Sequence, residues 1–254
     1  MRGGSIAPSI ALVCIAVVWS ASAQAESLQG DQRSAEPRAV IELFTSQGCS
    51  SCPPADKLLG ELAKDSSLLT MSLAVDYWDY LGWKDTLALP GHANRQRAYA
   101  AMRGDREVYT PQVVVNGVVH VIGNDKVALE NAVTERQAPD TLAVPVSLSL
   151  TASQLSVVLA ATGKPVTAEV WLCPISHRVT VEIMRGENRG HTITYTNVVR
   201  RWVRLGEWNG TAHTFNVAKA DFANDAIDEV AVVVQSGDAK HPGVMLGAAM
   251  TPMH

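Results

Sequence analysis

The feature that most constrains this chain is a pair of cysteines, Cys49-Ser-Ser-Cys52, set between an apolar run and an amphipathic one. Residues 39–45 (Ala-Val-Ile-Glu-Leu-Phe-Thr) have the length and composition of a short strand. Apolar residues then recur at the i, i+3, i+4, i+7 spacing of a helix that ends near Asp65: Ala55, Leu58, Leu59 and Leu62. Two cysteines at a helix start can form a disulfide with little strain, and the helix dipole there favours a thiolate on the first cysteine.

The segment that follows alternates strands and helices as far as about residue 138. We predict a strand over 68–75, an aromatic-rich connection over 76–90 and a helix over 92–102. Asn116-Gly117 lies between two valine-rich runs and is the preferred dipeptide of a type I′ hairpin. A third helix is predicted over 124–135, capped by Asn124 or Asp125. The predicted order is β-α-β-α-β-β-α.

Beyond residues 138–140 the hydrophobic period changes from 3.6 to 2. Alternating runs such as 144–150 and 179–183 predict strands with one apolar face, and no helical stripe interrupts them. We therefore predict two domains, 39–138 and 141–254, joined near residues 138–143. The second is predicted to be an antiparallel β-sandwich.

The N-terminus has the pattern of a secretory signal peptide. Arg2 is followed by an apolar run over 10–19 and by Ala23-Gln24-Ala25, an A-x-A cleavage site. An uncleaved anchor is the alternative, but the apolar run is shorter than the roughly 20 residues of a membrane span. We expect cleavage after Ala25, a flexible polar leader over 26–38, a secreted or periplasmic location, and no membrane span in the mature chain.

The charge and cysteine content limit the function further. The net charge of −4 argues against a general nucleic-acid binder, which would carry a basic surface. Cleavage removes Cys14 and leaves Cys49, Cys52 and Cys173, too few for a disulfide framework. In an oxidising compartment, one disulfide and one buried free thiol at Cys173 is the simplest arrangement. A zinc site would need about four ligands, and no second C-x-x-C or matching histidine pair is present.

The strand, the Cys49-x-x-Cys52 motif, the helix and Thr110-Pro111 directly before a hairpin together resemble the thioredoxin superfamily, over roughly residues 39–138. The resemblance implies that the Thr110–Pro111 peptide bond is cis and that Pro111 packs against the disulfide. The motifs at 44–56, 76–79, 109–112 and 185–188 (Arg-Gly-Glu-Asn) also resemble an uncharacterised family of secreted bacterial proteins of two-part build. That second resemblance covers nearly the whole mature chain, and it implies fold and compartment rather than a reaction.

The motif departs from the best-known oxidoreductases at two points. The dipeptide between the cysteines is Ser-Ser, and Pro53-Pro54 follows directly. A helix beginning at Ser50 would be kinked by Pro54, whereas a helix beginning at Pro53 would leave Cys49 off its end and weaken activation of the thiol. Both helix starts remain open from the sequence.

Other candidate site residues follow the second strand or lie in the first. Asp76 should emerge at the same sheet end as the cysteines, where it could act as a general base while the tryptophans after it line a groove. The alternative is that those aromatic residues only pack on the core. Glu42 lies within the first strand, and we expect it at an edge or facing solvent rather than as a buried acid.

Three functions fit this pattern. The first is an extracytoplasmic thiol–disulfide oxidoreductase acting on protein thiols or disulfides, in which Cys49, the more exposed cysteine, attacks and Cys52 resolves. Thr110, Pro111 and Asp76 would complete that site, and no cofactor is expected. The second is a metallochaperone that holds Cu(I) through the two thiolates. The third is a non-catalytic protein whose β domain binds an unknown partner and whose disulfide is structural.

Overall fold

The computed structural model describes Met1, Gly3, Gly4, residues 36–135 and residues 140–253. The predicted signal peptide and most of the predicted leader lie outside these residues. The element order predicted for the first half is confirmed: β1 (Ala39–Thr45), α1 (Pro53–Leu62), β2 (Leu68–Ala74), α2 (Pro90–Arg103), β3 (Gln112–Val115), β4 (Val119–Ile122) and α3 (Lys126–Thr134). Asp125 caps α3, since its side chain accepts a hydrogen bond from the backbone N–H of Ala128.

The second half consists of strands, as the change of period predicts. They are β5 (Val146–Leu150), β6 (Gln154–Leu159), β7 (Ala168–Glu182), β8 (Thr192–Val199), β9 (Val203–Trp208), β10 (His213–Ala218), β11 (Glu229–Gly237) and β12 (Pro242–Pro252). All pairings among them are antiparallel. The fold class is therefore mixed α/β, with a large β-rich sheet and few helices.

The two halves share one sheet, which corrects the prediction of two separate domains. Nine strands pair in the order β12-β11-β7-β8-β2-β1-β3-β4, with β9 also pairing with β7. The connection between the halves is a parallel contact of β2 with β8, where Ser72 pairs with Val198. No linker with few contacts separates 39–135 from 140–253, because strand pairing and core packing both cross the predicted boundary.

The predicted β-sandwich is present in part. A second sheet, in the order β10-β6-β5, packs its apolar face on β7, β11 and β12. Strand β11 is buried on both faces: Val232 belongs to this sandwich core, and Val233 belongs to a core shared with β1, β2 and α2. Since side chains alternate along a strand, one period-two segment supplies both layers.

A strained residue holds β8 against β2. Asn197 has a φ of 52°, a left-handed conformation that asparagine tolerates better than most residues. Its amide Nδ2 donates to the carbonyl oxygen of Thr70 at 3.2 Å and to the hydroxyl of Thr70 at 2.9 Å. These bonds occur where β8 joins the edge of the N-terminal strands, so the join depends on one side chain as well as on the strand ladder.

The hairpin at Asn116-Gly117 also connects the halves. Both residues have positive φ, 52° and 75°, as a type I′ turn requires. A Cβ at position 117 would lie 2.5 Å from the carbonyl oxygen of Gly243, so only glycine fits this approach to β12. The backbone N–H of Met245 donates to the carbonyl of Asn116 at 2.9 Å.

A buried ion pair corrects the expectation for Glu42. Its side chain is fully buried and accepts from Arg95 Nε at 2.6 Å and from the hydroxyl of Tyr99 at 2.6 Å. Arg95 also donates to Gln235 Oε1 of β11 at 2.8 Å. The glutamate faces α2 and the second half, because β1 is central in the sheet and has no solvent-facing side.

Among the described residues, no helix is long and apolar enough to cross a membrane.

Replacing Arg95 by Met should destabilise the fold strongly. The change leaves the Glu42 carboxylate buried without its cation, which costs about 3–5 kcal/mol of unfolding free energy. The matched control is Arg97→Met on the same helix, because Arg97 is exposed and bonds its exposed helix neighbour Asn94. Denaturant unfolding should show the control within about 0.5 kcal/mol of the wild type, and equal stability of the two variants would contradict this role.

Candidate functional site

The disulfide lies in the loop between β1 and α1. Cys49 and Cys52 are bonded to each other, with their Cα atoms 5.4 Å apart. Helix α1 begins at Pro53, and Cys52 is its N-cap residue. Of the two helix starts left open by the sequence, the structure has the one that places Cys49 off the helix end.

This start leaves few backbone donors near the sulfurs. Pro53 and Pro54 have no N–H, and the N–H of Cys52 already donates to the carbonyl of Cys49 at 3.1 Å. A Cys49 thiolate would therefore receive less stabilisation from the helix N-terminus than one placed at the first turn of an uninterrupted helix. The local sequence disfavours a strongly acidic Cys49 thiol.

Both cysteines are buried. Cys49 is 2% exposed and Cys52 is 0% exposed, whereas Ser50 and Ser51 between them face solvent. We expected Cys49 to be the more exposed cysteine, but the two exposed fractions hardly differ and the Cys49 side chain is not solvent-accessible. The structure has a cover over the disulfide loop that the local motif did not predict.

The cover is the turn formed by Arg185-Gly-Glu-Asn188, between β7 and β8, which we call the covering turn. Asn188 is buried, and its Nδ2 donates to the carbonyl oxygens of Gln47 and Cys49, both at 2.9 Å. The N–H of Ser50 donates to Glu187 Oε2 at 3.3 Å. The second half of the chain therefore supplies an amide and a carboxylate directly beside the disulfide.

Aromatic residues of the connection after β2 form another wall, as the sequence predicts. A Cβ at Gly48 would lie 3.0 Å from the Cβ of Trp78, so this tryptophan packs against the residue before Cys49. The indole N–H of Trp78 donates to Thr110 Oγ1 at 2.8 Å. Tyr80 stacks on Trp78 and is 77% exposed. The segment thus lines the site rather than only filling the core.

The Thr110–Pro111 peptide bond is cis, as the resemblance implies. Pro111 is buried directly before β3, the strand that pairs antiparallel with β1, and its carbonyl accepts from the N–H of Gly123 at 2.9 Å. The Trp78–Thr110 hydrogen bond links this dipeptide to the Gly48–Cys49 side of the site. Contact of Pro111 with the sulfurs stays a prediction.

Asp76 follows β2 at the expected end of the sheet, but no described hydrogen bond or ion pair joins its carboxylate to the disulfide loop. It lies near the buried His92 of α2. Burial lowers the pKa of His92 to about 4, and the Ala74 carbonyl and Asp76 offset part of that shift. The role of Asp76 as a general base stays a prediction.

A different carboxyl is buried next to the disulfide. Asp56 on α1 is 3% exposed, and burial raises its pKa to about 8, with a nearby Thr45 hydroxyl lowering it and the Asp85 carboxylate raising it. The backbone N–H of Asp56 donates to the carbonyl of Cys52 at 3.1 Å. At neutral pH the Asp56 carboxyl therefore carries a proton in the oxidised protein.

Asp85 is buried near Asp56 but is well bonded. Its carboxylate accepts from the N–H of Gln47 at 2.7 Å and from the N–H of Leu87 at 2.8 Å. Burial raises its pKa, and these backbone bonds oppose the rise. Asp85 thereby holds Gln47, two residues before Cys49, by its backbone. The side chain of Gln47 is held as well, because its Oε1 accepts from the indole N–H of Trp83 at 2.8 Å.

Two further groups lie outside the disulfide site. Cys173 is a free thiol, fully buried on β7 as expected, and burial raises its pKa. Among the described residues, Asp105, Glu107 and His120 are the one group of histidine, cysteine or carboxylate side chains placed to hold a metal ion. Arg103 already pairs with Asp105 at 2.7 Å, and neither cysteine belongs to the group.

Comparison with known proteins places the chain in a family. A family model described as "Protein of unknown function (DUF1223)" matches residues 40–235, and the chain belongs to that family. An Agrobacterium tumefaciens protein solved by X-ray crystallography is 30% identical, with a TM-score of 0.76 over 86% of this chain and 96% of that one. HBP35 of Porphyromonas gingivalis is 13% identical, with a TM-score of 0.55 over 85% of this chain and 75% of that one, a likeness of fold alone. No curated protein matches the chain.

Sequence reasoning missed the residues that the fold brings in from a distance. Asn188 and Glu187 were noted only as part of a motif, and nothing local ties them to Cys49, which is 139 residues before Asn188. Asp56 did leave a signal: it shares a helix face with Cys52 and Leu59, at i+4 and i+7, where a charged residue is unexpected. A carboxyl on the apolar face of an amphipathic helix indicates a buried acid.

Replacing Asn188 by Ala should open the cover. The change removes the Asn188 donor from the Gln47 carbonyl and leaves the Cys49 carbonyl with only the Cys52 N–H, which should cost about 1–3 kcal/mol of unfolding free energy. The disulfide should also be reduced several-fold faster by a phosphine reductant, followed by alkylation and mass spectrometry. Arg189→Ala is the matched control, because Arg189 is the exposed neighbour; equal reduction rates for both variants would contradict the covering role.

Proposed function

We propose that the protein is an extracytoplasmic thiol–disulfide oxidoreductase whose N-terminal half is thioredoxin-like. The observation that carries the proposal is the Cys49–Cys52 disulfide between the end of a central strand and the start of a helix, with cis Pro111 heading the strand beside it. The arrangement has the parts that exchange chemistry needs: an attacking sulfur, a resolving sulfur and an adjacent strand end where an extended substrate can lie.

Exchange would proceed through a mixed disulfide. In the reduced protein the Cys49 thiolate attacks a substrate disulfide, forming a Cys49–substrate bond and releasing the other substrate sulfur as a thiolate. Cys52 then attacks Cys49 Sγ, the protein disulfide forms, and the second substrate sulfur leaves with the bonding electron pair. The substrate is reduced by two electrons and the protein is oxidised by two.

The assignment of Cys49 as the attacking sulfur is supported by its surroundings. Cys49 lies before the helix, next to exposed Ser50, while Cys52 is the N-cap residue of α1. Movement of the covering turn would expose the Cys49 side first, because Asn188 and Glu187 bond to Cys49 and Ser50 rather than to Cys52.

The environment favours a reducing pair. The prolines at the helix start remove two donors, and the Glu187 carboxylate lies at the N–H of Ser50. Both features disfavour a thiolate on Cys49, and weaker stabilisation of the reduced form makes a pair a better reductant.

The proposed location rests on residues 1–25, which have the pattern of a cleaved signal peptide. Disulfides persist in a secreted or periplasmic protein, because the reducing thiol systems of the cytosol are absent there. The Cys49–Cys52 disulfide is consistent with this location.

Trapping of a mixed disulfide tests the proposal. Reduced Cys52→Ala protein incubated with oxidised glutathione should accumulate one glutathione on Cys49, since the resolving sulfur is gone. Reduced Cys49→Ala protein should accumulate at least about tenfold less, because movement of the covering turn frees the Cys49 side of the loop first and thiolate access governs the rate. Intact-mass spectrometry with peptide mapping measures both.

Cys173→Ala is the control for the buried third thiol and should match the wild type. Absence of a Cys49 adduct in the Cys52→Ala protein, with the fold intact, would leave the Cys49–Cys52 bond a structural bridge and end the oxidoreductase proposal.

A further inference from the structure

A small cavity lies between α2 of the first half of the chain and strands of the second half. It holds about 230 Å³, and its surface is mostly apolar. The residues that line it are Gly91, Asn94, Arg95, Trp171, Trp202 and Ala239. None of these residues belongs to the disulfide site, so the cavity is a separate feature of the fold.

Two tryptophans form walls of this cavity. Trp171 of β7 and Trp202, which lies between β8 and β9, meet edge to face with their ring centroids 6.2 Å apart. The Arg95 guanidinium lies over the Trp202 ring, 4.3 Å from its centroid. Aromatic rings pack favourably on indoles in edge-to-face or offset arrangements. The walls therefore favour a ligand that carries an aromatic ring.

The volume of the cavity indicates a small ligand. A dry cavity of about 150 Å³ with an apolar lining binds benzene. Pockets for drug-sized molecules hold about 300–1,000 Å³. At about 230 Å³ this cavity lies between the two and suits one ring or two fused rings.

The Arg95 guanidinium keeps two donors that its structural bonds do not use. A guanidinium carries five N–H donors. Nε donates to Glu42, and Nη2 donates to Tyr99 and Gln235. Nη1 donates to none of the described residues, although the side chain is only 10% exposed. A cation that is nine-tenths buried and has unused donors can bind an anionic oxygen strongly, because little water competes.

Helix α2 presents its N-terminus at the same cavity. The helix begins at Pro90, and its N-cap residue Leu89 makes no side-chain cap. The N–H of Gly91 donates to none of the described residues. Gly91 and Arg95 are related as i and i+4 and so share one face of the helix. The positive end of a 14-residue helix and an arginine therefore act on one small volume, which favours an anion there.

The polar groups that line the cavity are donors rather than acceptors. Trp202 Nε1 is buried and has no hydrogen-bond partner among the described residues. Asn94 Oδ1 already accepts from Arg97 at 3.2 Å. No carboxylate is among the described residues that line the cavity. A ligand that fits must therefore supply the acceptor itself.

We propose that this cavity binds a small aromatic carboxylate, with its ring against Trp171 and Trp202 and its carboxylate at Arg95 Nη1 and the start of α2. The inference goes beyond the proposed function and does not depend on exchange at the disulfide. Glu42 does not compete for this position, because it bonds to Nε and leaves Nη1 of the same guanidinium unused.

Isothermal titration calorimetry with 2-naphthoate tests the proposal on the oxidised protein. We expect one saturable site with a Kd below about 1 mM, as a ligand of this size commonly reaches. Naphthalene-2-carboxamide keeps the rings without the charge. It should bind at least about tenfold more weakly, because charge strengthens the hydrogen bonds to arginine. Acetate keeps the charge without the rings and should give no saturable heat at the same concentrations.

Gly91→Leu should obstruct the cavity. A Cβ at position 91 meets no atom within 4 Å, so the backbone accepts a larger side chain there. The leucine should weaken 2-naphthoate binding at least about tenfold, because it takes up part of a volume that a two-ring ligand needs. Ala101→Leu is the matched control, since Ala101 is an exposed residue of the same helix and does not line the cavity. The control should bind 2-naphthoate as the wild type does.

Three results would overturn the inference. They are the absence of saturable heat with 2-naphthoate in the wild type, equal affinities for 2-naphthoate and its carboxamide, and equal affinities of Gly91→Leu and Ala101→Leu for 2-naphthoate. The last result would place the bound naphthoate outside this cavity. Each of them concerns binding alone, so the failure of this inference is distinguishable from the failure of disulfide exchange.

Discussion

The parallel contact between β2 and β8 is the constraint on which the rest of this molecule depends. It joins the strands of the two halves into one sheet through Ser72 and Val198, and Asn197 bonds to Thr70 beside it. Because β8 joins the N-terminal strands there, the covering turn between β7 and β8 reaches the disulfide loop, where Asn188 and Glu187 bond to its backbone.

The surroundings of the disulfide disfavour negative charge. The cover and the helix start disfavour charge at Cys49, since Glu187 is close and the prolines donate nothing. The buried Asp56, one helical turn after Cys52, has its pKa raised to about 8 by burial. Under the proposed function, a pair covered in this way exchanges only when the covering turn moves. The second half of the chain would then control access as well as complete the site.

Local patterns predicted local structure well. The hairpin at Asn116-Gly117 and the cap at Asp125 each depend on two or three neighbouring residues, so the sequence carries their full signal. The sequence did not predict the β2–β8 pairing, because it joins segments more than 120 residues apart. The period of two in β11 is the same for a half-exposed strand as for one buried on both faces. Glu42 looked solvent-facing for the same reason: its partner Arg95 lies on a helix 53 residues later.

The most direct test of this account is the reduction potential of the Cys49–Cys52 pair. The oxidised fraction would be measured at equilibrium in dithiothreitol or glutathione buffers, by alkylation and intact-mass spectrometry. A covered pair with a poorly stabilised thiolate should fall near the reducing end of the catalytic range of about −270 to −120 mV. A potential below about −300 mV would mark a structural bridge, and one near −120 mV would contradict the electrostatic argument from Glu187 and the prolines.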